Sequence, residues 1–220
     1  MKNDSVLLID KPAGMTSFGV VARVRRILSA ELGHKAKVGH AGTLDPFATG
    51  LMIILTGKEC RNAGDYSKLD KVYEATIRLG QTSTTGDPEG EIIDVSNRQP
   101  SRQEIEAVIE QFKGEIIQTP PAYSAIKING QRAYKLARKG EVVEMPTRQV
   151  TIFSLDIIDY TYPELKIRTH VSSGTYIRTL AEDIGAALEV GGYCTELRRT
   201  SINKWTIEQA RTLSELGVSN

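Results

Sequence analysis

The 220-residue chain predicts an α+β fold, a mixed and largely antiparallel central sheet flanked by helices. Three observations predict it. Apolar alternation at period two marks several strands, and apolar stripes at period 3.6 mark a few helices. The two kinds of segment mix without a regular βαβ beat.

Val6-Leu7-Leu8-Ile9 reads as a buried strand and Lys11-Pro12-Ala13-Gly14 as a turn. Thr16 or Ser17 caps a helix reaching Leu32, with the stripe Val20, Val21, Val24, Ile27, Leu28 and Leu32; Gly33 closes it. From His34 to Thr49 no period is sustained, which predicts a long ordered loop of a kind that often carries function. Leu51 to Leu55 is a buried strand. Val72 to Leu79 alternates, with Tyr73, Ala75, Ile77 and Leu79 on the inward face. Gln81 to Gly90 reads as polar loop. Ser101 and Glu104 form a capping box ahead of Ile105, Val108, Ile109 and Phe112. Asn129-Gly130 signals a turn, followed by a short basic helix ending at Gly140. Val150 to Tyr160 and Leu165 to Val171 are two more strands. Thr175 opens a helix with the face Ile177, Leu180, Ala181, Ile184 and Leu188, and Arg178 lies off that face. A strand from Tyr193 to Ile202 precedes a last short helix capped by Thr206 and Gln209.

Composition narrows the classes. An apolar share of 40% and a charged share of 25% are those of a globular protein. No signal peptide or membrane span is legible, so a cytoplasmic protein is expected. Cys60 and Cys194 have neither the number nor the spacing of a disulfide scaffold and read as free thiols. The net charge of +1 speaks weakly against nucleic acid, but Lys127, Arg132, Lys135, Arg138, Lys139 and Arg148 cluster, so one basic face is possible. His34, His40 and His170 lack zinc-site spacing, and Asp87, Glu89 and Glu91 lack the rest of a calcium loop. The chemistry left uses no metal and no cofactor.

Gly39-His40-Ala41-Gly42-Thr43-Leu44-Asp45-Pro46-Phe47-Ala48-Thr49-Gly50 is the stretch densest in special residues. It sets a carboxylate, Asp45, between Leu44 and Phe47, where withheld water raises a carboxyl pKa unless a cation pairs with it. Taken alone, Asp45 reads as a turn pin, Tyr73 and Leu197 as core, Arg178 as a surface helix arginine, and His40 as a loop histidine as readily as a functional one.

The stretch resembles the catalytic motif of the TruB family of pseudouridine synthases. Further motifs follow in family order: Asp10 to Ser17, Lys71-Val72-Tyr73-Glu74-Ala75, Pro120 to Lys127, Ser173-Gly174-Thr175-Tyr176-Ile177-Arg178 and Leu197-Arg198-Arg199-Thr200. The resemblance implies an isomerase that converts uridine 55 in the T-loop of tRNA to pseudouridine. It implies Asp45, Tyr73 and Arg178 as catalytic residues, Asp45 being the nucleophile and Arg178 its partner. It implies His40, Leu197, Tyr176 and Lys127 as RNA-binding residues, His40 filling the space of a flipped base. Lys11 and Pro12 are expected to buttress the catalytic loop. The partner implied is the tRNA T-arm, with no membrane, guide RNA or protein partner, and the enzyme is expected to be a monomer. Residues 1–204 are expected to form the catalytic domain and residues 205–220 a short helical extension, without the PUA domain of many relatives. A non-catalytic RNA-binding module and a guide-dependent synthase are the competing readings.

Overall fold

The computed structural model describes residues 4–128 and 130–217, so the expected turn at Asn129-Gly130 lies partly outside the described residues. In chain order the elements are β1 (Val6–Lys11), α1 (Ser17–Leu32), β2 (Val38–Ala41), β3 (Thr49–Thr56), α2 (Ala63–Ser67), β4 (Lys71–Leu79), β5 (Gln81–Ser83), β6 (Ile92–Asp94), α3 (Arg102–Glu110) and β7 (Gly114–Gln118). There follow β8 (Lys127–Ile128), β9 (Gln131–Arg132), α4 (Ala133–Ala137), β10 (Arg148–Thr161), β11 (Glu164–Val171), α5 (Ile177–Ala187), β12 (Gly192–Ile202), β13 (Trp205–Thr206) and β14 (Arg211–Thr212). This is a mixed α+β fold whose strand pairs are mostly antiparallel. No described helix is long and apolar enough to cross a membrane.

The chain forms two compact units, Met1–Tyr73 with Arg198–Asn220, and Glu74–Leu197. It leaves the first along β4 and returns along β12.

In the first unit β3 is the axis. β1 runs antiparallel along one edge, from Val6 opposite Leu55 to Lys11 opposite Gly50. The other edge is shared: β2 takes Ile53 to Thr56, and β12 joins in parallel at Thr49 and Gly50. Apolar residues fill β3, with Leu51 to Leu55 all at 0% exposure, because both faces are covered. Ala41, Leu51, Ile53, Leu55 and Ile202 form one core cluster, packed by Val6, Leu8, Tyr66 and Trp205. Gly50 has φ +106, and a Cβ there would lie 2.3 Å from the Arg199 carbonyl oxygen, so only glycine lets β3 and β12 meet. α1 is built as its pattern requires: the Thr16 hydroxyl accepts from Gly19 N–H at 3.0 Å, and Gly33 ends the helix at φ 71.

In the second unit β10 pairs with β11 and β7, both antiparallel, and β11 pairs with β4. The capping box of α3 is present, Ser101 and Glu104 each accepting from the other's backbone N–H. Tyr73, Ala75, Ile77 and Leu79 of β4 are all buried, as the alternation predicts.

Three expectations need correction. The loop from His34 to Thr49 contains β2, a strand too short and too rich in Gly and His to show a period. Gln81 to Gly90 begins with the short strand β5. Thr206 and Gln209 do cap, but they cap one 3-10 turn, Ile207–Gln209; residues 205–217 carry this turn, a second at Ser214–Leu216 and two two-residue strands rather than a helix.

Candidate active site

Asp45 sits in the loop of residues 42–48, which joins β2 to β3 within the first unit and is half-buried at Asp45 itself. The loop is bolted from both sides. Ser17 is 3% exposed; its Oγ accepts from Leu44 N–H at 2.8 Å and donates to Leu44 O at 2.8 Å. Lys11 is fully buried, and its Nζ donates to the carbonyls of Pro12, Met15 and Pro46 at 2.8, 2.7 and 3.1 Å. Gly14 N–H donates to Pro46 O at 2.8 Å, and Ala48 N–H closes on Asp45 O at 3.2 Å. An ammonium with three carbonyl acceptors satisfies all its donors and costs least to bury.

Below the loop lies a second buried cation, one that the sequence motif contained but to which no role was given. Arg199 is 1% exposed. It donates through Nε to Leu51 O at 2.7 Å, through Nη2 to Gly42 O at 3.2 Å and through Nη1 to the Tyr73 hydroxyl at 3.5 Å. A guanidinium only donates, so the Tyr73 oxygen accepts there and its O–H points elsewhere. Period two would have revealed Arg199, since it shares a strand face with Leu197. Lys71 shares a face with Tyr73 in the same way; its amine donates to the Ser67 and Leu69 carbonyls. Burial lowers its pKa to about 8, helped by the Arg199 charge and opposed by Asp70. Pro12 is half-buried beside Lys11, and His40 is half-buried on β2 opposite Ile54.

The second unit holds the remaining predicted residues. Arg178, off the apolar face of α5, is nonetheless 3% exposed, because polar groups cover it. Its Nη1 donates to Thr85 O at 2.7 Å and to Asp87 Oδ2 at 2.9 Å, and its Nη2 to Tyr123 O at 2.7 Å. Asp87 was set aside in the sequence as a failed metal ligand. Its other oxygen, Oδ1, accepts from Thr85 Oγ1 at 2.6 Å and from Glu89 N–H at 3.0 Å. Nothing in an acidic, polar loop distinguishes one buried carboxylate from its solvated neighbours. Glu182, one turn along α5, has its pKa raised to about 7 by burial and by Asp183 and Asp87, against the pull of Arg178. Gly86 makes room for it, since a Cβ there would lie 2.8 Å from Glu182 Oε1. Tyr176 is the N-cap residue of α5, and Leu197 is buried on β12. Lys127 is exposed on the small β8–β9 hairpin, opposite Arg132.

The fold and the clamped aspartate loop are those of a chain matched by family models of the pseudouridylate synthase class of isomerases. Residues 25–177 match the domain described as TruB family pseudouridylate synthase (N terminal domain), and residues 178–218 match the tRNA pseudouridylate synthase B C-terminal domain. The chain belongs to the TruB family. A tRNA pseudouridine synthase B of Thermobifida fusca (strain YX) is 48% identical over 97% of this chain and 74% of its own. One of Burkholderia lata is 46% identical over 97% of this chain and 65% of its own. Among solved structures, the crystal structure of a Cbf5-Nop10-Gar1 complex aligns with a TM-score of 0.74 at 30% identity, covering 96% of this chain and 53% of that one. The chain thus spans 65% and 74% of these two curated relatives, and about half of the solved chain.

Proposed function

We propose that this chain is a tRNA pseudouridine synthase that isomerises uridine 55 of the T-loop, with Asp45 as nucleophile and residues 1–204 as its catalytic domain. The reaction breaks the bond from ribose C1′ to uracil N1, turns the base and joins C1′ to C5. It is redox-neutral, so the residues need supply only a nucleophile, charge stabilisation and a place for one proton. The observation that carries the reading is the loop at 42–48, whose backbone is held by Ser17 and Lys11 around the half-buried Asp45. Such a loop keeps a nucleophile in one place, the condition for an oriented attack.

Arg178 is the cation for Asp45, Tyr73 packs on the target uracil, and Leu197 lines its pocket. The base leaves the T-loop stack at a cost of about a few kcal/mol, and His40 fills the gap. Tyr176 and Lys127 contact RNA, and Lys11 with Pro12 supports the loop. The fixed Tyr73 oxygen and the threefold bonding of Lys11 favour these roles. The reaction runs on bare tRNA, without cofactor, guide RNA or protein partner, by a cytoplasmic monomer; the names of the curated relatives favour tRNA as substrate.

The test is Asp45→Asn on an unmodified tRNA transcript, read as release of the uracil C5 hydrogen to solvent. Turnover is expected to fall at least about 10⁴-fold, with an unchanged circular dichroism spectrum. Release at the wild-type rate removes Asp45 from the mechanism. Product at another uridine removes position 55.

A further inference from the structure

Arg148 opens β10 directly opposite Gln118 on β7. Its guanidinium carbon stands 4.9 Å from the centroid of the Tyr176 ring. That ring is fixed from behind. Gln118, 1% exposed, holds both backbone groups of Tyr176: its Oε1 accepts from Tyr176 N–H at 3.0 Å, and its Nε2 donates to Tyr176 O at 3.2 Å. Gly174 leaves space for the stack, since a Cβ there would lie 2.9 Å from Arg148 Nη1.

The guanidinium is held, yet its donors are idle. Among the described residues it enters no hydrogen bond or ion pair, and Nη2 is withdrawn from water without a partner. Arg148 is half-buried, whereas the buried Lys11, Lys71, Arg178 and Arg199 donate to carbonyls or a carboxylate. An unused charged donor costs free energy that an arriving oxyanion removes. Tyr176 covers one side of the group and Nη2 is withdrawn, so Nε and Nη1 remain to donate, each to one oxygen of a phosphate. Arg148 also lines an open cavity of about 390 Å³ with Thr147, Gln149 and Glu115. The Glu115 carboxylate there already accepts from Gln149 at 2.8 Å.

We propose that Arg148 binds the RNA backbone, taking a phosphodiester oxygen on the free edge of its Tyr176-stacked guanidinium. The proposal rests on the tRNA reading above and adds a residue to it. Phosphate contacts release counterions, so they are read from the salt dependence of affinity. Arg148→Gln is expected to weaken binding of an unmodified tRNA transcript about tenfold and to reduce the slope of log affinity against log salt by about 1. Turnover at saturating tRNA should change by less than about twofold, because only binding is lost. Arg148→Lys keeps the charge and is expected to keep the slope.

A wild-type slope in Arg148→Gln overturns the proposal. So does a fall in saturated turnover with affinity and slope intact, which makes Arg148 only a prop for α5. The binding assay needs no product. A wild-type protein that forms no pseudouridine therefore sinks the functional reading alone, and the slope difference still decides Arg148.

Discussion

The loop around Asp45 and the head of α5 both contain buried cations, but they use them differently. In the first unit Lys11 and Arg199 donate chiefly to backbone carbonyls, four of them belonging to Pro12, Met15, Gly42 and Pro46. Positive charge there sets the path of a chain. In the second unit Arg178 meets a carboxylate, Asp87, as well as the carbonyls of Thr85 and Tyr123. Positive charge there is itself positioned, its direction fixed by a fully engaged partner. A carbonyl dipole tolerates being left alone better than an ion does, so the two regions differ in what their disruption costs.

The largest expected effect tests the ionic side. Asp87→Ala takes from the buried Arg178 charge the carboxylate at 2.9 Å, and is expected to destabilise the protein by about 3–5 kcal/mol in urea unfolding. A loss below about 1 kcal/mol, the size of an ordinary hydrogen bond, would mean that the two regions do not differ.

Glu182 gives the next effect, and its sign is fixed by the raised pKa. Between the usual 4.5 and about 7 the folded state holds a proton that the unfolded state releases. Stability is therefore lost as pH rises through that window, and the loss is complete above it. Glu182→Gln does not titrate. Its advantage over wild type is expected to grow from nothing near pH 4.5 to on the order of 2 kcal/mol at about pH 8, after allowance for partial exposure. Thermal melts of both proteins across that range check this, and parallel curves would show that Glu182 is already solvated.

The smallest effect sharpens the neutral side. Ser17→Ala strands Leu44 N–H and C=O and is expected to cost about 1–2 kcal/mol. Chemical denaturation measures it. A cost equal to that of Asp87→Ala would show that the loop depends on this hydroxyl as strongly as Arg178 depends on its ion pair.

The elements legible in the sequence were those with a local cause. Thr16 and Gly33 bound α1, Ser101 and Glu104 open α3, and the alternation from Tyr73 to Leu79 gives the buried face of β4. Those causes act within a few residues and leave a pattern. β2 and β7 escaped because four or five residues beside a sheet edge need no apolar rhythm. Of the site, the Asp45 loop was legible as a dense run of special residues. Asp87 was not, because a charge buried by distant partners is written like one on the surface, and Arg199 showed only in its period-two place on the face of Leu197. Asp87 meets Arg178 across 91 positions, and Arg199 meets Gly42 across 157. Glu182 was missed for the same reason as Asp87, while Lys71, like Arg199, showed only in its period-two place, on the face of Tyr73.

The missing side chain at position 50 has a practical consequence for anyone diversifying this scaffold. Residue 50 has no chemical group to offer and lies in a strand where valine or isoleucine would ordinarily be welcome. A single methyl there would wedge apart the backbones at Arg199, the residue whose guanidinium reaches the Gly42 carbonyl. Inactive clones with alanine at 50 would therefore carry every reactive group intact, and screening by motif alone would pass them.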